Sequence, residues 1–155
     1  MDTKIDRPRW RSTLSRRVHP RLQLGFEYNP AAEEIGPVAT LFLLTESAHR
    51  PAFFAGTSSD RIGSPRGKQA YYLTAAKNLG RIPVAPYASL HYSEWDERFN
   101  VPFGAHVDLP HGFWIRPMYD GARTHLTGGY SRDRFSVTAL YVWLEQPGVA
   151  FSFGF

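Results

Sequence analysis

Six consecutive odd positions from Phe99 are apolar, namely Phe99, Val101, Phe103, Ala105, Val107 and Leu109, while Asn100, Pro102, Gly104, His106 and Asp108 stand between them. Successive side chains of an extended chain point to opposite faces, so this spacing encodes a strand with one apolar face and one polar or small face. The same period opens the body, where Leu22, Leu24, Phe26 and Tyr28 alternate with Gln23, Gly25, Glu27 and Asn29. It also ends the chain, with Val149, Phe151, Phe153 and Phe155 set against Ala150, Ser152 and Gly154. Residues 135–143 repeat it through Phe135, Val137, Ala139, Tyr141 and Trp143, although Leu140 and Val142 blur the second face. Residues 37–45, 52–59, 69–77, 84–93, 112–119 and 122–131 are further candidate strands, separated by turn signals such as Gly80 to Pro83 and Asp120-Gly121. No stretch of ten or more residues carries a helical stripe, so the body reads as all-β.

About ten such segments fill residues 21–155, close to the roughly 9 to 11 residues per strand that cross a bilayer at a tilt, with short turns between. An even number of strands lets both ends meet on one side, and closure removes exposed edges. The expectation is a closed antiparallel up-and-down transmembrane β-barrel of about ten strands, with eight as the fallback if the shorter segments are loops. Residues 1–20 read as a basic, flexible tail and residues 21–155 as the barrel.

Charge agrees with that division. The net charge is +4, yet Lys4, Arg7, Arg9, Arg11, Arg16, Arg17 and Arg21 outweigh Asp2 and Asp6 at the N-terminus, leaving the body slightly acidic. A flexible solvated leader is the plain reading of the tail, with contact to anionic lipid as the functional one; nucleic acid is not expected as a partner, because no recognition fold accompanies the tail. Cysteine is absent, which excludes disulfide scaffolds, thiolate metal sites and cysteine nucleophiles. The lysines are only Lys4, Lys68 and Lys77, few for a domain that must cover its outside with solvated charge. No apolar run is long enough for a transmembrane helix, and Arg7 to Arg17 fill the place where the apolar segment of a secretory signal would lie.

The closing segment from Val149 to Phe155 resembles the last strand of Gram-negative outer-membrane β-barrel proteins, and Leu22 to Tyr28 resembles a first barrel strand. The resemblance implies residence in a bacterial outer membrane, lipid as surroundings, and recognition of the terminal aromatic Phe155 by the barrel-assembly machinery. It implies Phe151, Phe153 and Phe155 facing lipid, with Ala150, Ser152 and Gly154 facing a narrow lumen. The lack of an apolar leader departs from that pattern.

The opposite face holds the candidate site. His106 and Asp108 share a face by their i, i+2 spacing, and Glu27, Glu94 and Arg116 are the charged groups best suited to complete a polar lumen network with them. Metal binding by His91, His106 and His125 is the sharper alternative, and hydrogen bonding inside the lumen the plainer one. Asp60 and Arg61 form a possible pair in the turn Ser58 to Gly63, and Glu94, Asp96 and Glu97 form an acidic loop without calcium-loop spacing. Serine, histidine and acidic residues are present without a nucleophile motif, so no catalytic residue, metal or cofactor is assigned. The function expected is a structural or narrow-channel outer-membrane protein with a largely filled lumen. The alternatives are a soluble β-barrel binding a lipid or small apolar ligand and, third, an outer-membrane lipid hydrolase.

Overall fold

The computed structural model describes residues 10–30, 33–60 and 64–155. Within them the chain is all-β, an antiparallel up-and-down sheet of 12 strands. The strands are β1 (Ser12–His19), β2 (Leu22–Asn29), β3 (Glu34–Leu44), β4 (Ala52–Ser59), β5 (Gln69–Ala76), β6 (Val84–Ser93), β7 (Arg98–Asn100), β8 (Phe103–Asp108), β9 (Phe113–Tyr119), β10 (Thr124–Arg132), β11 (Phe135–Val142) and β12 (Gln146–Phe153). Hydrogen-bonded neighbours follow chain order from β1 to β12, except that β7 pairs with β6 beside β8.

The structure departs from the sequence reading in three ways. The count is 12 rather than about ten because residues 12–19, read as tail, form β1, and because the leg 99–109 is interrupted. Pro102 causes the interruption: it has no N–H to give to the ladder, so pairing resumes at Phe103. The register is unbroken across the gap, with His91 opposite Asn100 and Ala88 opposite Phe103, so β7 and β8 are one leg of the meander. β1 pairs with β2 from Ser12 opposite Tyr28 to His19 opposite Leu22, and Gln23 Nε2 donates to Ser15 Oγ across the pair at 2.7 Å. Finally, the sheet is open, with β1 and β12 as its two ends, rather than closed into a barrel.

The chain divides into two compact units, residues 1–75 with 90–100 and residues 76–89 with 101–155. In the first, alternation is inverted relative to a water-soluble sheet. Phe26, Tyr28 and Ile35 are exposed, while their neighbours Glu27, Asn29 and Glu34 are buried. The other buried polar groups, Ser59, Asp60, Ser64, Thr74 and Ser93, belong to the same unit, and Ala70 is the only buried apolar residue among those described. Gly56 sits where a Cβ would collide with the Ala39 carbonyl and the Tyr72 ring, so glycine lets the strands and that ring pack tightly.

The second unit is built around β8, β9, β10, β11 and β12. On β9 the residues Phe113, Ile115 and Pro117 are exposed while Trp114, Arg116 and Met118 are half-buried on the other face. Gly129 lies opposite Trp114, and a Cβ there would stand 2.9 Å from the indole Cζ2, so the glycine provides the floor on which the ring lies. Phe151 and Phe153 are exposed as the alternation requires, but Ala150 and Ser152 are exposed too, because β12 ends the sheet order.

Candidate functional site

The register of the second unit sets Asp108 opposite Trp114 and Thr127 opposite Arg116. His106, Asp108 and Arg116 come together as a result. Arg116 Nη2 lies 3.3 Å from His106 Nδ1, and His106 Nε2 lies 3.1 Å from Asp108 Oδ1. A guanidinium can only donate, which makes Nδ1 the acceptor and Nε2 the protonated nitrogen that donates to Asp108. The imidazole is thus a neutral bridge between a cation and a carboxylate.

Trp114 completes the cluster. Its ring stands 5.3 Å from that of His106 at 32°, and the Arg116 guanidinium carbon stands 5.4 Å from its centroid. The indole Nε1–H donates to Ser131 Oγ at 3.1 Å. These residues, with Leu109, Gly112 and Phe113, line an open cavity of about 360 Å³. Its wall turns at Pro110–Gly112, a single 3-10 turn in which His111 and Gly112 both take left-handed backbone angles.

Chemically, this arrangement positions a charge and does not activate a nucleophile. Both ring nitrogens of His106 are engaged, and the Ser131 hydroxyl oxygen accepts from Trp114, so Ser131 and His106 lack the mutual hydrogen bond that serine activation needs. Among the described residues no three metal-ligating side chains assemble, so His91, His106 and His125 do not form the metal cluster considered above.

The remaining candidates lie in the first unit with partners of their own. Glu27 accepts from the Ser59 N–H at 3.1 Å and pairs with Arg11 at 3.3 Å. Glu94 accepts from the Gln69 N–H at 2.9 Å and the Tyr71 hydroxyl at 3.0 Å. Asp60 is fully buried and accepts from Ser93 Oγ at 2.7 Å and the Trp95 N–H at 3.1 Å, whereas Arg61, its suggested partner, lies outside the described residues. Trp114 and Ser131 were not among the candidates. The alternation on β9, which gives Trp114 and Arg116 the same face, could have found Trp114, whereas Ser131 lies on β10 and joins them only through the strand register.

His125 belongs to a different cluster, at the start of β10 beside the hairpin turn that leads from β9. Its Nε2 lies 2.6 Å from Asp120 Oδ2, while Oδ1 of the same carboxylate accepts from the Ala122 and Arg123 N–H groups at 2.8 and 2.7 Å. Burial alone would raise the Asp120 pKa. The His125 hydrogen bond and the two backbone donors outweigh it and hold the carboxyl down at about 2. Because the folded value lies below the unfolded one, the stabilisation is complete above the ordinary carboxylate range and disappears as pH falls towards 2. Asp120→Asn is therefore expected to lower stability by about 1 to 2 kcal/mol at pH 7, allowing for solvent screening, and by progressively less as pH drops from about 4 to 2. Urea unfolding of both proteins across that range measures it; a difference independent of pH would show that the carboxylate charge is not what the turn uses.

Comparison with known proteins finds no matching family, no similar curated protein and no similar solved structure.

Proposed function

We propose that this chain is an integral membrane β-barrel protein of the outer-membrane type, with a structural or narrow-channel role and a polar, largely filled lumen. The observation that carries this reading is the inverted burial. Glu27, Asn29, Glu34, Ser59, Asp60, Ser64, Thr74 and Ser93 are buried, while Phe26, Tyr28, Ile35, Phe103, Phe113, Phe151 and Phe153 are exposed. Water penalises that distribution, whereas a bilayer favours an apolar outer face around a polar interior. A soluble lipid-binding barrel would carry its apolar rows inside.

On this reading the sheet closes in lipid. An antiparallel closing pair requires an even number of legs, and β2 to β12 provide ten when β7 and β8 count as one. β1 is then the extra strand, and the ten legs are those read as barrel strands in the sequence. Lipid surrounds the exposed aromatic rows, anionic lipid is the partner offered to the basic N-terminal segment, and the aromatic row of Phe151, Phe153 and Phe155 is the segment offered to the assembly machinery.

The test is heat-dependent migration on a gel of protein folded in detergent, since closed membrane barrels resist unfolding there until boiled. The wild-type chain should show the shift, and so should a chain lacking residues 1–20. When expressed in a Gram-negative host, Phe155→Asp should lose membrane assembly while a change at Met1 that preserves expression should not. Absence of the heat shift, or equal assembly of the Phe155 variant by membrane fractionation, would refute the reading.

A further inference from the structure

We propose that Arg116, His106 and Trp114 form a binding site for a phosphate-class anion carried on an apolar chain, as in the headgroup of an anionic amphiphile; the amphiphile part rests on the membrane reading above. Arg116 is half-buried, and among the described residues its side chain meets no carboxylate. One N–H of its fork goes to His106 Nδ1, which leaves donors for an oxyanion, the group whose geometry a guanidinium matches best. The nearest carboxylate of the cluster, on Asp108, is held on the far nitrogen of the imidazole and is 63% exposed, so a neutral ring and solvent keep it from cancelling the arginine charge.

The pocket is built before any ligand arrives. Ser131 fixes the indole, the indole underlies both His106 and Arg116, and Asp108 fixes the imidazole tautomer. A cavity of about 360 Å³ accommodates a phosphate group and the first carbons attached to it. Two apolar residues of its lining, Leu109 and Phe113, are 41% and 52% exposed, a surface which a free phosphate would not use but an acyl or alkyl chain would. The cavity also lies at the β8–β9 connection, a strand end, and strand ends are where headgroups meet a transmembrane barrel.

The experiment follows the Trp114 indole N–H resonance by NMR, assigned with Trp114→Phe, in protein folded in an uncharged maltoside detergent and titrated with decyl phosphate, inorganic phosphate or decanol. Decyl phosphate should move the resonance saturably at concentrations at least about tenfold below inorganic phosphate, with no response to decanol. Arg116→Gln should weaken decyl phosphate by at least about tenfold. Should Arg116→Gln not fold, Phe113→Ser tests the apolar part of the lining: it should weaken decyl phosphate and leave inorganic phosphate unchanged. Equal affinity for inorganic phosphate would reduce the site to a free-anion site and overturn the amphiphile. A response to decanol, or an unaffected Arg116→Gln, would overturn the anion site itself. The two readings fail separately, because a chain without a heat shift refutes the membrane reading, whereas a heat-shifted chain that ignores decyl phosphate refutes only this site.

Discussion

Phe103→Arg should destabilise the protein folded in lipid vesicles by roughly 2 to 4 kcal/mol, read from the shift of its denaturant midpoint, while barely changing a water-soluble form. The size of the effect follows from position. Phe103 is 54% exposed, its ring lies 5.4 Å from that of Tyr119, and it sits mid-way along the leg formed by β7 and β8. In water an exposed aromatic replaced by arginine loses little contact and gains solvation. At the same depth in hydrocarbon the guanidinium has no solvent, and that cost is what barrel substitutions on a lipid face measure. Gly104, the next residue, is the control for the other face. A Cβ there would stand 2.6 Å from the Pro117 carbonyl oxygen and 2.8 Å from the Tyr87 hydroxyl, so Gly104→Ala acts by crowding in any solvent. A cost for Phe103→Arg that is under about 0.5 kcal/mol in vesicles would mean that the apolar face meets water, and the membrane reading would fall.

The legs of the sheet are legible in the sequence because period two survives wherever one face differs from the other. Leu22 to Tyr28 and Phe99 to Leu109 show it residue by residue. β1 escapes because Arg16 breaks the apolar row that Leu14 and Val18 mark and Arg17 adds charge on the other face, so the segment reads as solvated charge; in the structure the Arg17 guanidinium carbon lies 4.3 Å over the Phe42 ring centroid, a cation–π contact. The split at Pro102 was visible as a proline, but not as a break in the ladder. The site was legible only within a strand. His106 and Asp108 share a face by spacing, but their link to Arg116, Trp114 and Ser131 depends on the register of β8, β9 and β10, which a period-two pattern leaves free to slide in steps of two. The same freedom explains why Glu27 and Glu94, grouped with Arg116 by charge alone, have Arg11, the Ser59 amide, the Gln69 amide and Tyr71 as partners instead.

Asp60→Ala should cost about 3 kcal/mol or more, with Asp60→Asn recovering part of the loss. Asp60 follows β4 directly and is fully buried, and its carboxylate holds two elements distant in sequence, Ser93 at the end of β6 and the backbone of Trp95 in the turn beyond it. Ser93 Oγ in turn accepts from the Asp96 N–H at 3.1 Å, so the hydroxyl is oriented by donating to one carboxylate and receiving from one amide. Removing the carboxylate leaves a buried hydroxyl donor and a backbone donor without their acceptor in a place water does not reach, and an ionised acceptor makes each of those bonds worth more than a neutral one. Asparagine restores an oxygen where Oδ2 accepts from both the Ser93 hydroxyl and the Trp95 N–H, but without the negative charge that strengthens those bonds, so its recovery should be partial. Ser93→Ala tests the coupling: if the hydroxyl and the carboxylate act as one unit, the double variant with Asp60→Ala should be less destabilised than the two single costs added together. Strict additivity in urea unfolding, or a cost for Asp60→Ala below about 1 kcal/mol, would show that this polar interior does not hold the first unit together.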